Sequence, residues 1–279
     1  MGINKMVDVL KANLSVYEDK TKMSFLGLLI SGMLAGAFIA IGASSSSAAI
    51  YGISNTGLAK TLAGAIFPVG LIPVVMVGGE LFTGDCLMIF DVMNKRVKVL
   101  QVVRVLALVF LFNLLGSLIV VFLVNRSGQL DYGNGALAVS AIKTAYTKLN
   151  LGFGKALCSG IMCNVLVCLA VLLAGMAKEA IGKIFAIFFP IWAFVIGGYE
   201  HCVANMYYIP AGLFAKHGDT YYQLALDAGM TAEQLDSMTI GSFIVDNLIP
   251  VTLGNIVGGM IFVALPLYLV HRKALKENA

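Results

Sequence analysis

The chain has 279 residues, of which 59% are hydrophobic and only 12% charged, and its mean hydropathy is +0.90; a soluble domain is roughly a quarter charged. That balance excludes an ordinary water-soluble enzyme, and apolar runs of membrane-crossing length recur along the sequence. The net charge of +4 is distributed by loop rather than gathered into a basic patch, so no nucleic-acid partner is expected.

The N-terminal segment, residues 1–24, places Ile3, Met6, Val7, Leu10, Leu14 and Tyr17 on one helical face, with lysines and acids on the other. This pattern predicts an amphipathic helix lying in the membrane interface. The first apolar run, from Phe25 to about Ile50, starts too late and runs too long for a cleaved signal peptide. Five more spans follow, at about 62–93, 99–124, 154–177, 181–214 and 243–270. The expected fold is therefore an all-α polytopic membrane protein of six transmembrane helices in a single channel domain.

Basic residues set the orientation. With both termini in the cytoplasm, 13 of the 19 lysines and arginines fall on the inner side, as the positive-inside rule requires. Lys60, Arg126, Lys143, Lys148, Lys155 and Lys216 are then outside or near the outer end of a span, as is the connection from about Ala215 to Gly241. Within that connection, Thr231 and Gln234 have the spacing of a capping box. The chain is expected in the cell (inner) membrane.

The two halves resemble each other. Phe25 with Ser31-Gly32 recurs as Phe153 with Ser159-Gly160, and Asn113 with Gly116-Ser117 recurs as Asn255 with Gly258-Gly259. Two successive three-span units have opposite topology, so residues 25–124 and 154–270 form an inverted repeat. The second and fifth spans are interrupted alike, at Gly78-Gly79-Glu80-Leu81-Phe82-Thr83-Gly84-Asp85 and at Gly197-Gly198-Tyr199-Glu200-His201. Broken helices persist in lipid only where the freed backbone groups are buried in protein or line a cavity. A matched pair of them points to a solute site.

His201 is the sharpest candidate, because ionisable side chains at membrane depth are rare and mark pathways or relays; the plainer reading is a hydrogen bond to the freed backbone. Glu200, Glu80 and Asp85 are expected to anchor the breaks by accepting from backbone N–H groups. Thr83 can bridge to His201 or to a solute, or bond locally to backbone. Among the intramembrane amides, Asn205 reads as structural and Asn164 as a pore contact, although such amides commonly join helices. Phe67, Leu71, Leu81, Phe82 and Phe194 lie near the breaks, where spacing alone does not separate packing from gating. The five cysteines lack metal or disulfide spacing and read as small hydrophobes; no cofactor and no metal site is expected.

The stretches Gly79–Gly84, Gly198–Met206 and Asn247–Asn255 together resemble the formate/nitrite transporter family. The resemblance covers essentially the whole chain. Glu80 and Gly84-Asp85 make it more similar to the hydrosulfide-channel branch. The resemblance implies an aquaporin-like protomer, a homopentamer, and one anion pathway through each protomer for hydrosulfide, formate or nitrite. His201 would be its central histidine, Thr83 a loop residue of the first broken helix and Lys148 the basic residue near the outer vestibule. Phe67, Leu71, Leu81, Phe82 and Phe194 would form its constrictions. Small-residue faces at Gly32/Gly36 and Gly254/Gly258/Gly259 are expected to allow close packing in the assembly. Three rivals are weaker: an aquaporin-type neutral-solute channel lacks its paired Asn-Pro-Ala motifs here, a sodium-coupled carrier lacks an acid cage, and an intramembrane enzyme built on Glu200 and His201 lacks a nucleophile or metal set.

Overall fold

The computed structural model describes residues 2–276, with side chains through Leu275; Met1, residues 277–279 and the side chain of Lys276 lie outside the described residues. Six membrane-crossing helical segments are present among them. Helix α1 (Met6–Lys22) precedes the first span, α2 (Phe25–Ile50). The second span divides into α3 (Thr56–Gly78) and a distorted α4 at residues 82–93, and α5 (Val99–Arg126) closes the first half. The second half repeats the plan: α6 (Ala136–Leu149), α7 (Phe153–Met176), a divided span of α8 (Ala180–Gly197) and α9 (Cys202–Lys216), and the last span α12 (Ile240–Leu275). Two short helices, α10 (Asp219–Asp227) and α11 (Ala232–Ser237), occupy the long connection before it.

Glycine sets how closely the spans of each half approach. A methyl added at Gly36 would lie 2.1 Å from the Asn113 carbonyl, and one at Gly116 would lie 2.0 Å from that of Met33, so α2 and α5 touch backbone to backbone. In the second half, methyls added at Gly254 and Gly258 would likewise collide with the Leu157 and Ile161 carbonyls of α7, so α12 and α7 pack just as closely. These small-residue faces, expected between subunits, are occupied inside the protomer. Burying them within each half orients the matching helices for the inverted repeat.

Helix α1 also differs from the expectation. Val9, Leu10, Leu14 and Tyr17 are buried, whereas Ile3 is 71% exposed. Its apolar face is turned onto the bundle: Asn4 donates from its backbone N–H and side-chain amide to the Met176 and Gly175 carbonyls at the end of α7. It also packs against the end of α12, so both described ends of the chain lie on one face of the bundle. On the other face, Thr231 and Gln234 form the expected capping box at α11. Lys216 holds that connection by donating to the Leu235 and Met238 carbonyls.

Candidate solute pathway

Each broken span stops for a local reason. At the end of α3, Gly79 N–H donates five residues back to the Val74 carbonyl in a widened turn, and Gly78 at φ +96° reverses the chain. At the end of α8, Tyr199 N–H donates to the Phe194 carbonyl and Gly198 takes φ +66°. The next half-helices start with their first N–H groups in the protein interior, where each needs an acceptor.

Two asparagines supply those acceptors identically. Asn113 Oδ1 accepts from Phe82 N–H, while its Nδ2 donates to the Gly32 and Glu80 carbonyls. Asn255 Oδ1 accepts from Cys202 N–H, while its Nδ2 donates to the Gly160 and Glu200 carbonyls. The repeated Asn seen in the sequence is therefore the clamp that joins each break to the flanking spans. Asn164, anticipated as a pore contact, has the same kind of role: its Nδ2 donates to the Thr83 and Asn255 carbonyls and links the two halves. It does not line the large cavity described below.

The acids of the breaks differ from their expected partners as well. Instead of accepting backbone N–H groups, Glu80 and Asp85 both contact the Lys20 ammonium of α1 at 2.6 Å. Glu200 accepts from Lys148 of α6 at 2.8 Å and from Asn205 Nδ2 at 2.6 Å, and Asn205 also donates to Asn247. All three carboxylates are buried. Each is paired with a cation from the helix that precedes its half. Lys148 is thus an ion-paired residue, with its ammonium 5.2 Å from the Tyr208 ring centre.

Between the breaks, Thr83 Oγ1 lies 2.9 Å from His201 Nε2, and both side chains are buried. His201 Nδ1 accepts from Ala204 N–H at 3.0 Å and caps α9. A neutral imidazole whose Nδ1 is an acceptor carries its proton on Nε2. Nε2–H therefore donates toward Thr83, at the N-terminal, partially positive end of α9.

Above His201 opens a cavity of about 1080 Å³ on the face opposite α1, reaching His201, Glu200, Asn205 and Lys148. Phe67 and Phe194 also line it, packed edge to face with centroids 5.3 Å apart; Phe194 lies 6.1 Å from the imidazole. Leu71, Leu81 and Phe82 are buried but do not line it, and Phe82 packs edge to face on Phe110 of α5. Lys60, Lys143, Tyr199 and Tyr208, which were not singled out from sequence, also line the cavity. A signal for Lys60 exists: it precedes Phe67 by seven residues, two turns along the same helical face. Beside Gly135, Tyr221 of α10 donates to Asp131 at 2.5 Å; burial, then the carboxylate, push this phenol up to about 12.

Paired broken helices that meet at buried polar side chains below a water-accessible cavity define a membrane transport protein of the channel type, built on an aquaporin-like inverted repeat. The Formate/nitrite transporter family model matches residues 7–269, and the chain belongs to that family. It is 38% identical to a probable formate transporter of Methanothermobacter thermautotrophicus, over 92% of this chain and 93% of that protein. Among solved structures it is similar to a pentameric formate channel with formate bound, at 33% identity and a TM-score of 0.78, over 89% of this chain and 98% of that one. An FNT family ion channel gives 26% identity and a TM-score of 0.79, over 95% and 98% of the two chains. The chain is a transport protein and not an enzyme.

Proposed function

We propose that the chain conducts small monovalent anions of weak acids, formate first among them, along a pathway in each protomer of a homopentamer. The observation that carries this reading is the buried Thr83–His201 pair at the junction of the two breaks, directly beneath the cavity. Formate is the first solute to test because two of the similar proteins just described are a probable formate transporter and a pentameric formate channel. Hydrosulfide is the second reading, favoured by the Glu80 and Gly84-Asp85 pattern of the first break.

The physical logic is one of desolvation. A bare anion passing the Phe67–Phe194 closure loses water contacts at a large cost unless a donor replaces them or a proton neutralises the charge. His201 Nε2–H and the Thr83 hydroxyl are the groups suited to meet it there, and Nε2–H can donate a hydrogen bond or transfer its proton. Phe67 and Phe194 form the constriction on the cavity side, with Leu71, Leu81 and Phe82 on the other side of the pair. The lysine and arginine distribution supports an outward-facing cavity and cytoplasmic termini in the cell (inner) membrane.

Flux into liposomes containing the purified pentamer tests the mechanism. His201→Asn should keep one hydrogen-bonding amide while flattening the pH dependence of formate flux and changing solute preference; His201→Phe should reduce flux at least ~100-fold, a barrier increase of about 3 kcal/mol. Wild-type rate, preference and pH profile in a folded His201→Asn protein would exclude His201 from the pathway. Equal loss of assembled protein in both variants would assign it to pinning the break alone.

A further inference from the structure

Lys60, Ala63 and Phe67 line the cavity wall from one face of α3. Seven residues of helix separate Lys60 from Phe67, so its backbone stands roughly 10 Å above the aromatic closure. Two other lysines line the same cavity, and both are engaged: Lys148 is paired with Glu200 at 2.8 Å, and Lys143 Nζ donates to the Ala228 carbonyl at 2.8 Å. Lys60 is exposed to the cavity mouth and has neither an ion pair nor a hydrogen bond among the described residues. Among the described residues no acid pairs with it: Glu200 is held by Lys148 and Asn205, and Asp227, which also lines the cavity and accepts from the neutral Gln223 amide, makes no ion pair with it.

The break after α8 leaves room for this ammonium. Gly198, at φ +66°, lies beside Lys60, and a methyl there would come within 3.3 Å of Nζ. A paired cation presents a short dipole whose field fades quickly, whereas an unpaired one acts over a Debye length, about 8 Å at physiological ionic strength. From this arrangement we propose that Lys60 is the residue that captures a small monovalent anion at the cavity mouth, ahead of Lys148 and the Thr83–His201 pair. It positions the solute above the closure and takes no part in passing it through. This inference rests on the anion-pathway reading of the same cavity. The competing role is structural, with Lys60 offsetting the carbonyl-rich end of α8.

Formate uptake into liposomes distinguishes them. Wild-type protein tests the pathway itself: absence of saturable anion flux there would remove the pathway, whatever Lys60 does. Given wild-type flux, Lys60→Gln should slow entry roughly 3- to 10-fold at ~20 mM salt and less than about twofold at ~0.5 M. Lys60→Cys, labelled from the cavity side with a trimethylammonium-bearing thiol reagent, should recover flux; a sulfonate-bearing reagent of similar size should depress it further. Protein retaining Lys60, treated identically, controls for the exposed Cys158. Wild-type flux by Lys60→Gln at low salt overturns the proposal. So does a loss that ignores salt and label sign and accompanies a lower melting temperature, which would assign Lys60 to the end of α8.

Discussion

The break after α3 and the break after α8 share a scaffold but not a chemistry. Each is clamped by one asparagine through the same three hydrogen bonds, and each glutamate pairs with a lysine from the helix preceding its half. Even the spacing repeats, because Lys20 and Lys148 differ by the same 128 residues as Gly32 and Gly160. The side chains between these anchors diverge. Where the second break has His201, the first has Leu81; where the second has Asn205, the first has Asp85. The repeat thus builds two equivalent cradles, and substitution within them places the titratable donor in one half while the other contributes Thr83. Asp85 also changes the anchor: Lys20 faces two carboxylates and Lys148 one.

The largest difference should appear on removing the two lysines. Lys20→Ala would leave Glu80 and Asp85 buried together without a cation, and breaking a buried pair by deleting one partner costs about 3–5 kcal/mol. Lys148→Ala leaves Glu200 alone, still accepting from Asn205, and should cost about half as much. Melting of the assembled protein by size-exclusion chromatography after heating, with both variants side by side, checks this order. Equal losses would mean that the extra carboxylate does not matter to the anchor.

Next come the clamps, where the halves should behave alike. Asn113→Leu and Asn255→Leu each strip an acceptor from a buried N–H and a donor from two buried carbonyls. Loss of such groups costs about 1–3 kcal/mol apiece, partly relieved by relaxation, so each variant should lose about 2–4 kcal/mol. Thermal unfolding of the two should agree within about 1 kcal/mol. A much milder effect in one half would break the equivalence drawn from hydrogen bonds.

Much of this plan was legible in the sequence because it follows from solvent physics. Span length, the glycine and acid interruptions, and the recurrence of Asn113 as Asn255 all reflect what a chain in lipid must satisfy locally. The partners of polar groups were not legible, since they depend on which helix folds against which. Glu80 and Asp85 looked like acceptors for nearby backbone, yet their cation arrives from α1, some 60 residues earlier. Asn164 carried no mark separating a pore amide from a helix linker. The glycine faces declared close packing but not whether the neighbour was the same chain. Helix α6 went unseen because it is short, mixed in polarity and lies between spans, although it delivers Lys148 to Glu200.

The smallest expected effect gives the finest test of the comparison. Asp85→Asn would give the first break the amide that the second has in Asn205, which donates to Glu200 at 2.6 Å. The change is nearly isosteric, so packing around the buried site should be kept. It removes one of two carboxylates crowded on a single ammonium and leaves a Lys20–Glu80 pair with a neutral neighbour, the composition of the Lys148–Glu200–Asn205 anchor. If the two cradles are equivalent, Asp85→Asn should be neutral or stabilising by up to about 1 kcal/mol, since replacing a like-charged neighbour relieves repulsion but also removes a contact to Lys20. Lys20→Ala made on that background should then cost no more than Lys148→Ala does in the wild-type chain. Melting of the double variant measures this directly. A full Lys20→Ala penalty that persists without Asp85 would show that Lys20 stabilises the break mainly through Glu80 and the docking of α1, and that the second carboxylate is a bystander.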